Sequence, residues 1–178
     1  MENRRKKVAE RLEDVWSELL PDFSAPAELH NYHLDLQVGK WLILLDIVSS
    51  PGGGFEGGYG STGIKAQLPA SSGFEFVVYP DDFLNKIGKL FGMEDVVLGY
   101  KELDDRLIVK TNNKEGLSKV FADAEVRNVF ANLSGFSLKL ENDDDEGTTL
   151  DLSIQRAVLD YNEFKQIFGA YFRILNAL

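Results

Sequence analysis

The stretch Leu34-Asp35-Leu36-Gln37-Val38-Gly39-Lys40-Trp41-Leu42-Ile43-Leu44-Leu45-Asp46-Ile47-Val48 decides the fold. Its first five residues alternate apolar with polar, the period of a strand with one face buried. Gly39-Lys40 offers a tight reversal between two antiparallel strands. From Trp41 to Val48 the chain is almost continuously apolar, broken at Asp46. That run predicts a strand covered on both faces.

Outward from this hairpin the two periods take turns. Ile64, Ala66 and Leu68 alternate, Pro69–Gly73 turns, and Phe74, Phe76 and Val78 alternate again. Together with the hairpin they predict a meander of about four antiparallel strands. Upstream, Val8, Leu12, Val15, Trp16 and Leu19 keep helical spacing, so residues 4–20 are expected as an amphipathic helix stopped by Pro21. Residues 21–26 then read as a linker. Downstream, Asp81 is a suitable N-cap for a helix over 82–91. Val96–Leu98 and Arg106–Thr111 are strand candidates. Residues 114–133 suit one helix or two, with Asp123 capping the second. Phe136, Leu138, Leu140 and Leu150, Leu152, Ile154 suit a hairpin around an acidic turn. Asp160 with Glu163 resembles a capping box opening a last helix. Strands cluster instead of alternating with helices. The expectation is therefore an α+β fold: an antiparallel or mixed sheet of about six to eight strands, packed by several helices, with helices at both termini. An N-terminal helix over 1–20 and a single domain over 27–178 are the expected units.

Composition bounds the chemistry. The chain has 178 residues, 29 acidic against 19 basic side chains, a formal charge of −10 and no Cys. A chain this long buries roughly 70 % of its unfolded surface, enough for a core without staples. Absence of Cys excludes disulfides, thiolate zinc sites, iron–sulfur clusters and a cysteine nucleophile. The charge argues against nucleic-acid binding, which needs a basic surface. Residues 1–20 hold five basic and five acidic side chains, so the −10 lies beyond them. No window approaches ~18 apolar residues, so no membrane span is expected. The basic N-terminus lacks the apolar core of a signal peptide. The expected location is the cytoplasm.

Gly99-Tyr100-Lys101-Glu102-Leu103-Asp104-Asp105-Arg106-Leu107 precedes a short strand through Val109-Lys110, a polar turn and a helix. This resembles the signature of a family of uncharacterised bacterial domains, roughly Gly-Asp-Pro-Glu-Phe-Asp-x-Arg-Phe. Gly99, Glu102, Asp104 and Arg106 match it; Tyr100 and Lys101 depart. The resemblance spans about residues 63–140. It implies a β-rich α+β domain of unknown activity, often placed after membrane-spanning segments, and carries over no catalytic residue.

Four constellations invite chemistry. Gly58-Tyr59-Gly60-Ser61-Thr62-Gly63 matches the dinucleotide pattern G-x-G-x-x-G, yet the segment after it alternates like a strand and supplies no helix N-terminus for a pyrophosphate. The glycine-rich stretch 51–63 instead predicts a long hairpin loop. Phe55 and Tyr59, with Gly58 and Gly60, are its candidate ligand- or partner-binding residues, since aromatics on such a loop suit contact. His30, His33 and Asp35 carry ligand-type groups, but strand geometry puts 33 and 35 on one face without 30. The run Glu141–Gly147 fails the EF-hand pattern at its glycine and at its last ligand. Glu102, Asp104, Asp105 and Arg106 could supply an acid–base pair, and equally a local ion pair. There is no G-x-S-x-G, S-x-x-K or H-E-x-x-H. Neither a metal nor a cofactor is expected, and no catalytic residue is assigned.

The favoured expectation is a non-catalytic domain that binds a protein or small molecule through the loop 51–63. One rival is a small hydrolase-like enzyme using dispersed carboxylates and His33. Another is a self-assembling unit, a homo-oligomer held through residues 161–178, whose apolar positions include Phe172 and Ile174 off the main stripe.

Overall fold

Seven side chains form one file across the sheet. Leu34, Leu45, Ile64, Leu152, Leu138, Val78 and Val109 are successive cross-strand partners. None is more than 2 % exposed. Burying each contributes roughly 1.5–3 kcal/mol. The file fixes register, because a slip of one residue would turn every member to the other face.

The computed structural model describes residues 4–50, 52, 58–69, 73–81, 93–143 and 147–178. The strands are β1 (Arg5–Ala9), β2 (Asn31–Val38), β3 (Trp41–Ser50), β4 (Tyr59–Gln67), β5 (Phe76–Pro80), β6 (Glu94–Asp95), β7 (Leu107–Thr111), β8 (Phe136–Asp143) and β9 (Gly147–Ile154). Among the described residues they form one nine-stranded sheet ordered β1-β2-β3-β4-β9-β8-β5-β7-β6. All pairings are antiparallel except β1 with β2. The mixed α+β architecture matches the expectation. The reversal at Gly39 uses φ +55°, a left-handed conformation that suits glycine.

Helices α1 (Leu12–Phe23), α2 (Lys101–Asp104), α3 (Lys114–Val120), α4 (Ala124–Asn132) and α5 (Tyr161–Ala177) complete the chain, with a 3₁₀ turn at Pro26–Leu29. Asp160 caps α5 through the Glu163 N–H and Asp123 caps α4 through the Glu125 N–H. α5 packs on the file side of the sheet, where its Tyr171 hydroxyl donates to the Leu150 carbonyl at 2.9 Å. Its ring pairs Phe164–Phe23 and Phe168–Trp16 join it to α1. Ile174 is fully buried and Phe172 stacks on Phe168. Of the second apolar stripe of α5, Ile174 is thus packed inside its own chain, while Phe172 is half-buried.

Several expectations need correction. Arg5–Ala9 is a strand, not the start of a helix. Arg4 anchors it by donating to Asp35, Asp46 and the Leu34 carbonyl, and Val8 stays 69 % exposed. The buried stripe of α1 is Val15, Leu19 and Phe23. Pro21 lies inside α1, two residues before its end, so its missing N–H costs one bond only in the last turn. The strand after the glycine-rich stretch begins at Tyr59, five residues before Ile64. In place of a strand over Val96–Leu98, Glu94–Asp95 pairs with β7, and the Val96 N–H donates to the Val109 carbonyl of β7 at 2.9 Å. The expected helix over 82–91 lies outside the described residues.

The run Trp41–Val48 differs most instructively. Its odd residues Trp41, Ile43, Leu45 and Ile47 are buried, but Leu42 is 51 % exposed. Among the described residues, helices cover one face of β3 and none covers the other.

Candidate functional site

The open face carries its own files of side chains. Asp35, Leu44, Lys65, Asp151, Lys139 and Val77 are successive partners across β2, β3, β4, β9, β8 and β5. The next file holds His33, Asp46, Gly63, Ser153 and Ser137. At the β5 end the face is closed: Val77 and Tyr79 are buried. Over β3, β4 and β9 it is open, with two grooves.

The first groove, about 750 Å3, has an apolar floor of Leu42, Leu44, Leu68 and Pro69 flanked by Lys40 and Lys65. Lys40 Nζ lies 4.4 Å from the centre of the Trp41 ring. The second, about 640 Å3, is polar, with Tyr59, Ser61, Lys139, Asp151 and Ser153 among its walls. Lys65 and Asp151 are cross-strand partners where the two halves meet. Burial raises the Asp151 carboxyl above its ordinary range, against the opposing pull of a Ser153 hydrogen bond and the charges of Lys65 and Lys139.

Two of the sequence-predicted site residues fall on strand β4, and a third just before it. Tyr59 is 67 % exposed on the open face, and Gly58 precedes it on the wall of the polar groove. Gly60 lines the same groove, while the Cβ direction at this position faces the other side of the sheet. A Cβ there would sit 2.7 Å from the Ala157 backbone N, so this glycine permits close packing of the 155–159 segment. The G-x-G-x-x-G pattern is therefore strand, not phosphate loop. Phe55 lies outside the described residues. Leu42, Leu44 and Asp151 were not singled out by sequence. Their only signal was strand parity, which cannot say which face stays open.

His33 is held on both sides. Its Nδ1–H donates to Asp46 Oδ1 at 2.6 Å, and Nε2 lies 3.1 Å from Asn31 Oδ1. Arg4 shares the same Asp46 oxygen. His30 Nδ1 lies 2.6 Å from Ser49 Oγ at the exposed end of β3; among the described residues no carboxylate orients this pair. No group of three metal-ligating side chains occurs among the described residues.

The segment 99–106 is built as a turn. Gly99 adopts φ +90°. Asp104 accepts from the N–H groups of Leu98 and Gly99 at 2.9 and 2.8 Å. Leu103 is buried, and Arg106 donates to the Ala131 carbonyl. Glu102 accepts from Arg127, whose guanidinium lies 4.1 Å from the Tyr100 ring centre; this pairing holds the Glu102 carboxyl below its ordinary range. Each signature residue thus has a structural contact. β2 and β7 stand six strand spacings apart, about 29 Å along the sheet. His33 and the 102–106 carboxylates therefore do not share one centre. No helix among the described residues is long and apolar enough to cross a membrane.

No protein-family model matches this chain, and no curated protein matches it. Among solved structures, the mycobacterial trehalose monomycolate transport factor A aligns over 79 % of this chain and 76 % of its own, at a TM-score of 0.41 and 8 % identity.

Proposed function

We propose that the protein is a non-catalytic binding domain that holds its ligand on the open face of the sheet. The observation that carries this reading is the face itself. Leu42 and Tyr59 stand 51 % and 67 % exposed on the face that no described element covers, about 26 Å apart along the strands, each on the wall of its own groove, one apolar and one polar. Large apolar side chains left exposed beside a groove mark binding sites. The dispersal of His33 and the 102–106 carboxylates supports the non-catalytic half of the reading. Relative to the expectation of a loop-borne site, contact moves from the loop 51–63 onto the strands beside it, retaining Tyr59.

The test compares the wild type with the double variant Leu42→Glu/Tyr59→Ala and a helix-side control, Asn128→Asp. Each is incubated with extract of the source cells and repurified, and co-purifying small molecules and proteins are measured by mass spectrometry. Species retained by the wild type and the control but lost from the open-face variant support the reading. Recovery indifferent to Leu42 and Tyr59 contradicts it.

A further inference from the structure

We propose that the polar groove over β4, β9 and β8 binds a neutral, polyhydroxylated ligand of the saccharide class; this rests on the open sheet face being the binding surface. The groove holds about 640 Å3, inside the roughly 300–1,000 Å3 of small-molecule sites. Its charged lining residues are Lys139 and Asp151, one of each sign. Both are answered within the chain: Lys65, Asp151 and Lys139 are successive cross-strand partners, and Lys139 also pairs with Glu141 at 3.3 Å. The groove therefore presents no unbalanced charge that would select an ion. Its uncommitted groups are neutral. Tyr59, Ser61, Ser137 and Gln155 all line it, and their side chains make no hydrogen bond among the described residues. Ser137 is 5 % exposed and lies between the core-facing Phe136 and Leu138, so its hydroxyl stands on the open face, directly across from Ser153. Gly63, the other partner of Ser153, adds no side chain, and nothing lies within 4 Å of its Cβ position. The floor from Gly63 to Ser137 is thus small and hydroxyl-lined over two strand spacings, about 10 Å. An apolar occupant would strip water from these hydroxyls and replace it with nothing. A carboxylate only accepts and an ammonium only donates, whereas a serine hydroxyl does both, as a ligand hydroxyl does. Tyr59, 67 % exposed on the wall, adds a rigid, flat ring, a surface for the C–H face of a sugar.

The experiment is titration of the isotope-labelled whole chain, followed by amide NMR shifts. The neutral probes are maltotriose and the N-acetylglucosamine trimer; the charged ones are the galacturonate trimer, anionic, and the glucosamine trimer, cationic. Expected is saturable binding of at least one neutral trimer, with shifts centred on Ser61, Ser137 and Ser153. It should bind at least about fivefold tighter than either charged trimer, because the balanced groove gives a charge nothing to replace its hydration. Tyr59→Ala should weaken it about tenfold through loss of the ring, and Tyr59→Phe should stay within about threefold of the wild type. Ser137→Ala should weaken it about fivefold, the worth of one hydrogen bond. Leu42→Glu, in the other groove, should leave it unchanged. Tyr59 is exposed and the Ser137 hydroxyl has no partner to lose, so these variants fold; an unchanged far-UV spectrum checks this, and Ser61→Ala serves if Ser137→Ala does not. Binding of neither neutral trimer, equal or tighter binding of a charged one, shifts centred away from the groove, or full retention by Tyr59→Ala overturns the proposal. If neither neutral trimer binds while extract-derived species still depend on Leu42 and Tyr59, only the ligand class falls. If those species are indifferent to both residues as well, the open-face reading falls with it.

Discussion

Leu42 and Leu45 sit three residues apart on β3 and face opposite sides of the sheet. The same truncation to Ala should therefore cost very different amounts. Leu45 is fully buried, between Leu34 and Ile64 in the central file. Leu45→Ala removes packed methyl groups and leaves a cavity, for a cost of roughly 2–5 kcal/mol. A protein of this length shifts its midpoint about 2–4 °C for each kcal/mol. A mid-range cost of about 3 kcal/mol thus lowers Tm by roughly 6–12 °C. Leu42 is 51 % exposed. Full burial of a Leu is worth about 1.5–3 kcal/mol, and the half that is covered leaves about 1 kcal/mol at stake, with no closed cavity formed. Leu42→Ala should lower Tm by no more than about 4 °C. The intrinsic strand preferences of Leu and Ala enter both variants, so the difference reports the covering of each face. Thermal unfolding followed by circular dichroism, with urea titration alongside, measures it. Equal shifts for the two variants would refute an open face at Leu42.

Three further outcomes follow from the same contacts. Gly60→Ala should destabilise, since its Cβ would meet the Ala157 backbone at 2.7 Å, whereas Gly63→Ala, with nothing within 4 Å, should be neutral or stabilising; paired melting curves decide, and the reverse order contradicts the placement of β4. Asp104→Ala should cost roughly 1–2 kcal/mol by leaving the Leu98 and Gly99 N–H groups to water, with Asp104→Asn intermediate in urea unfolding; an unchanged midpoint would remove this carboxylate from the turn. Asp151 binds its proton more tightly in the folded chain than in the unfolded one, because burial raises it. That group favours folding in acid, and its contribution is lost as pH rises from the ordinary aspartate range through the raised value. Asp151→Asn should accordingly raise Tm at neutral pH, with the gain vanishing in acid; a lower Tm at neutral pH would mean that Lys65 and Lys139 dominate.

Much of the fold was legible because period and punctuation are local. The hairpin at Gly39-Lys40, the caps at Asp123 and Asp160 and the hairpin β8–β9 follow from neighbours within a few residues. Arg5–Ala9 was not legible. Its strand state depends on pairing with β2 and on Arg4 reaching Asp35 and Asp46 more than thirty positions away, while Val8 continued the helical stripe by coincidence. The apolar run of β3 hid its open face because Leu42 and Leu44 are as apolar as Ile43 and Leu45. Only the tertiary arrangement, with the described helices on one side, distinguishes them. Tyr59 was singled out through its glycine-rich surroundings, and it stands exposed at the start of β4. Asp151 and Lys139 carried no local signal, since they meet Lys65 only through the order of β4, β9 and β8.

The chain has no Cys, so single cysteines can be placed freely at Leu42, Tyr59 and Asn128, each carrying a nitroxide label. Electron paramagnetic resonance of the three labelled proteins, alone and in source-cell extract, tests the central claim that the uncovered sheet face is where binding occurs. The account predicts that labels at positions 42 and 59 lose mobility in extract while the label at 128, on the helix side, does not. Immobilisation at 128 with positions 42 and 59 unchanged would contradict it.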